Sequence, residues 1–233
     1  MKFSFMSFSC PDLSLSDMFK LARNLGYDSV EPRVECKHAH GIELSLDQEG
    51  RRKARDLATA SGIGTSCVAT SCRYADPRSR QKMVDDTLAY IDLAADIGAP
   101  CLRVFGGSIP QGITRAEAID GVAGALAAVA DHAVARGVIV CMETHDDWCN
   151  PADVAAVITA VDSPAIQVNW DIMHPVRVAK VTMEQAFDAL KPWIRHCHFH
   201  DGVTTDGNLI MVPVGEGDID HATAVRLLNG VGW

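Results

Sequence analysis

Short apolar runs alternate along the chain with stretches whose apolar residues recur every three or four positions. The runs predict strands at Phe3–Phe8, Ser29–Val34, Gly64–Thr70, Cys101–Phe105, Val138–Glu143, Ile166–Asp171 and Ile194–His200. The stretches between them carry helix periodicity, as in Val84, Leu88, Ile91 and Ala95, or Ile119, Val122, Leu126, Val129 and Ala133. Helix starts are marked by Ser45-x-x-Gln48, Thr114-x-x-Glu117 and Thr182-x-x-Gln185, each with the form of a capping box. Asp76-Pro77 and Asn150-Pro151 place a capping residue before a proline at the first helical position. Helix ends are marked by Gly26, Gly62, Gly98 and Gly137, which recur 36, 36 and 39 residues apart, the length of one strand–helix unit.

Strands that alternate with helices imply a parallel sheet with right-handed crossovers. An open, doubly wound sheet would be expected to carry GxGxxG after its first strand. None is there, and Gly106-Gly107 lacks the rest of that fingerprint. The pattern therefore predicts an α/β protein with one domain over residues 1–233, a (β/α)8 TIM barrel. Seven strands and seven helices are read, the last helix over Asp220–Asn229. Gly230-Val231-Gly232-Trp233 then has the form of another helix–Gly–strand joint, so the barrel is expected to be truncated before strand 8, its C-terminal βα unit missing.

Composition narrows the partners. The chain has 233 residues, 48% of them hydrophobic, enough for a sizeable core. No apolar run approaches the roughly 20 residues of a membrane helix, and the N-terminus lacks the form of a secretory signal. With a net charge of −9 and no basic cluster longer than Arg51-Arg52-Lys53, nucleic acid is not an expected partner. The eight cysteines include no CxxC pair and several fall inside apolar runs, so they read as packing residues of a reducing compartment, the cytoplasm.

Three consecutive strands end in metal-capable side chains: the fifth at Glu143-Thr144-His145, the sixth at Asp171-Ile172-Met173-His174, the seventh across His196-Cys197-His198-Phe199-His200-Asp201. Chemistry in such barrels sits where strands end, and two carboxylates with an imidazole can hold a divalent cation there. Singly, each acid reads as a helix cap and each histidine as a structural residue. Their conjunction on adjacent strands carries the metal reading.

The set Glu143-x-His145-x-x-Trp148, Asp171-x-x-His174 and His198-x-His200-Asp201 resembles the xylose-isomerase-like TIM barrel family of sugar phosphate isomerases and epimerases. Gly26-Tyr27-Asp28-Ser29-Val30-Glu31 and Val214-Gly215-Glu216-Gly217-Asp218-Ile219-Asp220 agree with it. The resemblance implies that Glu143, Asp171 and His200 bind the metal, as Mn²⁺, Mg²⁺ or Co²⁺, with Zn²⁺ also suited. It implies that His174 touches a substrate hydroxyl, that His145 and Trp148 line the pocket, and that Glu31 and Arg103 meet substrate or form an internal ion pair. His198 would support the site from below, and Asp201 would orient His200 or a loop. His38, His40 and His221 read as surface residues, His132 as structural. The family's fourth ligand, a glutamate ending strand 8, has no counterpart here.

The implied reaction is proton abstraction next to a sugar carbonyl through an enediolate, with Glu143 as one acid/base. The implied partner is a small carbohydrate, with pairing into a homo-oligomer. Two alternatives stay open: a dehydratase of a cyclic polyol ketone, and a non-catalytic sugar-binding barrel. Endonuclease activity is disfavoured, because the second and third strands end in Glu31-Pro32-Arg33 and Thr70-Ser71-Cys72 rather than histidines.

Overall fold

Each of the four glycine joints closes its helix in the left-handed conformation, at φ 79°, 70°, 81° and 67° for Gly26, Gly62, Gly98 and Gly137. Each turns the chain from a helix on the outside into the next strand. The computed structural model describes all 233 residues. Its elements run β1 (Ser4–Met6), α1 (Leu15–Leu25), β2 (Ser29–Glu31), α2 (Gln48–Ser61), β3 (Gly64–Thr65), β4 (Val68–Arg73), α3 (Arg80–Ile97), β5 (Cys101–Phe105) and α4 (Arg115–Arg136). They continue with β6 (Ile139–Glu143), α5 (Pro151–Val161), β7 (Ile166–Asp171), α6 (Met173–Arg177), α7 (Met183–Leu190), β8 (Ile194–His198), β9 (Asp201–Thr205), β10 (Asn208–Val212) and α8 (His221–Gly230).

The strands are parallel in the orders β1-β2-β3 and β4-β5-β6-β7-β8, joined by a parallel bridge between Arg33 and Ala69. β3 and β4 are two parts of one strand position, broken at Ser66-Cys67. Seven strand positions of a TIM barrel are thus filled, with helices outside. The core is one cluster of 51 buried residues, and it includes Trp148 and Trp170.

Local signals explain most boundaries. Thr114 and Thr182 cap α4 and α7 through complete capping boxes, and Asn150 caps α5 ahead of Pro151. Two predicted starts move. Asp47, not Ser45, caps α2 by accepting from Gly50, because an acid stands closer to the first turn. Asp76 spends its carboxylate on the backbone and side chain of Arg78, and α3 begins only at Arg80. One helix, α4, is long and apolar enough to cross a membrane, with mean hydropathy 1.4 over its apolar window. Here it packs on α3 and α5, burying Val122, Leu126 and Val129.

The antiparallel pair β9–β10 lies beyond the predicted elements. Its turn is Asp206-Gly207, both with positive φ (50° and 80°), the pairing a tight hairpin demands. Cys67, Cys101 and Cys141 form a small buried cluster of their own.

Candidate functional site

Register sets the site. Phe105 pairs with Glu143, Glu143 with Asn169, and Asp171 with His198, so the C-terminal ends of β5 to β8 lie side by side. Thr144 Oγ1 donates to Asp171 O and accepts from Asp171 N, both at 3.0 Å, which locks the fifth and sixth strand ends together.

Three clusters of ligand atoms arise, each with its atoms within 4.8 Å of one another: Glu143–Asp171–His198, Asp171–His174–His200 and Glu31–His196–His198. The predicted trio of Glu143, Asp171 and His200 is split between the first two. His198 is the imidazole whose ligand atoms lie with both carboxylates, and His200 groups with Asp171 and His174. β8 ends at His198, in register with Asp171, whereas His200 lies beyond the strand.

Each side chain has defined partners. His198 Nδ1 donates to Glu143 Oε1 at 2.6 Å, and Arg103 Nε lies 3.3 Å from Glu143 Oε2. Burial raises the cost of charge on Glu143, but His198⁺ and Arg103⁺ outweigh it and hold the carboxyl down to about 2. Burial likewise disfavours charge on His198, yet Glu143 and Glu31 push its imidazole up to about 10. Asp171 Oδ1 accepts from the backbone N–H of Met173 (2.9 Å) and His174 (3.1 Å) at the start of α6. Its Oδ2 is left facing His200 Nε2 at 2.6 Å and His174 Nε2 at 3.8 Å. Neither imidazole nitrogen makes a hydrogen bond, although both are buried. Buried polar atoms without a hydrogen bond are rare.

The rings continue along the rim. Phe105, His145, His174 and His200 follow one another at centroid spacings of 4.9, 4.4 and 5.2 Å. Burial lowers His174, whereas the hydrogen bond to Asp146 and the charge of Glu143 outweigh burial at His145 and raise it.

Trp148, expected to line the pocket, is committed elsewhere, whereas Arg103 and Glu31 form internal ion pairs, one of the two roles expected of them. Trp148 is fully buried, its indole N–H donating to Gly107 O at 2.8 Å, so it offers no face to a ligand. Arg103 is 3% exposed, donates to Thr70 O at 2.8 Å and covers Phe105 at 3.9 Å, which makes it the internal partner of Glu143. Glu31 is 2% exposed, with its two oxygens taken by His196 (2.8 Å) and His198 (3.1 Å). Burial opposes charge on Glu31, but the two imidazoles hold it well below the usual carboxylate range.

Asp201 binds a loop rather than His200. His40 and His221 are not surface residues: His40 is buried on Arg33 O and Ile42 N, and His221 Nε2 lies 3.2 Å from His200 O. His132 pairs with Asp92 between α4 and α3. His196 was not singled out from the sequence, and the signal available was its period of two with His198.

The donor set fits a hard divalent cation: two carboxylates and one imidazole within reach, with the imidazoles of His174 and His200 beside Asp171.

The whole chain aligns with solved barrels of low identity, and the likeness to them is one of fold. The probable 3-DHS dehydratase AsbF from Bacillus anthracis is 18% identical, with TM-score 0.80 over 99% of this chain and 89% of that one. 3-Keto-D-glucoside 4-epimerase, YcjR, from E. coli is 14% identical, with TM-score 0.80 over 100% and 89%. A xylose isomerase-like TIM barrel protein from Mycobacterium smegmatis in complex with magnesium is 18% identical, with TM-score 0.75 over 100% and 87%. No curated protein matches the sequence. The family model for the xylose isomerase-like TIM barrel matches residues 19–233, and the chain belongs to that family.

Proposed function

We propose that this chain is a divalent-metal-dependent sugar isomerase or epimerase, acting on a small hydroxy-carbonyl carbohydrate. One observation carries the reading: Glu143, Asp171 and His198 bring ligand atoms within 4.8 Å of one another at the barrel's chemical face. These three would hold the ion, and oxygen-rich donors with one imidazole suit Mn²⁺, Mg²⁺ or Co²⁺, with Zn²⁺ also accommodated. Such a cation supplies Lewis acidity toward a carbonyl and its neighbouring hydroxyl, easing negative charge at the adjacent carbon.

The chain's own groups supply the rest. Glu143 stays ionised at neutral pH, with Arg103 beside its Oε2, and serves as proton acceptor. His174 and His200 would meet substrate hydroxyls once their Nε2 atoms turn from Asp171 Oδ2, and His145 stands beside His174. Return of the proton by Glu143 to the neighbouring carbon isomerises the sugar, and delivery of a different proton, from solvent on the opposite face, epimerises the carbon. Removal of the same proton followed by loss of hydroxide would make the chain a dehydratase, and product analysis separates that outcome.

The test begins with calorimetric Mn²⁺ titration of the wild type, His198→Ala and His200→Ala. Binding at one site should vanish in His198→Ala and only weaken in His200→Ala. A ketose panel in D₂O should then show C–H exchange that Glu143→Gln abolishes. Exchange retained by Glu143→Gln, or no binding of any of the four cations, overturns the reading. Sugar binding without exchange assigns a binding protein instead.

A further inference from the structure

Glu31 is buried, His196 is partly so with its side chain 12% exposed, and the chemistry above uses neither. Taking a carboxylate out of water costs several kcal/mol unless its oxygens are fully engaged. Glu31 meets that condition in one way only: both oxygens face imidazoles of β8, 165 and 167 residues away in sequence. His196 and His198 point into the barrel from the same face of β8, their rings 5.3 Å apart and nearly perpendicular. β2 and β8 are not paired strands, so the carboxylate reaches across the interior to them.

His198 is thereby held at both ring nitrogens. Nδ1 faces Glu143, whereas Nε2 donates to Glu31 Oε1 at 3.1 Å. A ring that binds a metal through one nitrogen needs its other N–H fixed on an acceptor, which sets both tautomer and orientation. We propose that Glu31, itself held by His196, is the positioning residue of the metal centre, fixing His198 with its N–H at Nε2 and its Nδ1 turned toward Glu143 and Asp171. The inference rests on the metal reading above and extends it to residues that touch neither ion nor substrate.

The experiment pairs calorimetric Mn²⁺ titration with ¹H–¹⁵N imidazole correlation spectra of the full chain loaded with Mg²⁺. The wild type is compared with Glu31→Gln, His196→Gln and His198→Ala. Loss of a ligand's hydrogen-bond partner costs about 10–100-fold in metal affinity, and Glu31→Gln should fall in that range. Its His198 should also lose the single Nε2–H pattern of the wild type. A packing role alone would lower the melting temperature of Glu31→Gln without moving either readout. Mn²⁺ affinity within twofold of wild type, with His198 shifts unchanged, overturns the proposal. Should Glu31→Gln not fold, His196→Gln decides: weaker binding with perturbed His198 shifts supports the chain of contacts, and unchanged binding overturns it. If the wild type binds no Mn²⁺, or His198→Ala binds as the wild type does, the metal reading fails first and takes this inference with it.

Discussion

Asp201→Asn is a nearly isosteric change with a large expected cost. Asp201 is fully buried at the start of β9, and its carboxylate accepts four backbone N–H groups. Gly202 (2.9 Å) and Ile219 (3.2 Å) donate to Oδ1, Gly215 and Gly217 (both 2.9 Å) to Oδ2. Whichever way an asparagine amide is turned, its NH₂ faces two donors and accepts from neither. A hydrogen bond to a charged group contributes about 1.5–3 kcal/mol, so silencing two of them costs about 3–6 kcal/mol. The loop can relax and admit water, which places the net loss near the lower end, about 3 kcal/mol. For a chain of this size each kcal/mol shifts the melting temperature by about 2–4 °C, so a drop of about 6–12 °C is expected. Urea unfolding followed by circular dichroism gives the free energy, and hydrogen exchange at Gly215, Gly217 and Ile219 gives its location. A loss below about 1 kcal/mol with those three amides still protected would refute the anchoring role.

The remaining predictions use the same geometry. Burial opposes the charge of Asp201, but the four N–H donors outweigh it and hold the carboxyl below its ordinary value. A depressed carboxyl stabilises fully above the unfolded value of about 3.9 and less as pH falls through the folded one. The gap in urea midpoint between wild type and Asp201→Asn should therefore narrow below about pH 4, and a constant gap down to pH 2 contradicts the assignment. Gly106→Ala would drive a methyl into the Trp148 indole, and overpacking of this kind costs about 1–3 kcal/mol, measurable by thermal unfolding with Trp fluorescence as the probe. Saturating Mn²⁺ at about 100 times its dissociation constant should stabilise the fold by about 2.7 kcal/mol, a gain that a chelator removes and that His198→Ala never shows.

The fold was legible because its punctuation is local. A glycine in the left-handed region, a threonine with Glu117 or Gln185 three residues on, or a proline behind Asn150 states its role within one helical turn. The failures are local as well. Ser45 lost its cap to the nearer Asp47, and the hairpin β9–β10 was missed although Asp206-Gly207 announces a tight turn. The site was half legible. Glu143 and Asp171 end strands whose last residues are apparent from the apolar runs. Which of His196, His198 and His200 joins them depends on where β8 stops, a matter of register against β7. Glu31's attachment to His196 was beyond reach, because it links strands that are not neighbours in the sheet and lie 165 residues apart.

The cysteine trio carries a practical consequence. Cys67 and Cys141 have no exposed surface, and burial helps hold both thiols well above their usual ionisation range. Alkylating reagents attack the thiolate, so in the folded protein these two sulfurs are silent toward maleimide or iodoacetamide. They sit on β6 and at the break between β3 and β4, strand positions separated only by β5. Their labelling rate in the native protein is thus a clock for how often neighbouring strands part, written into the wild-type sequence without any introduced probe.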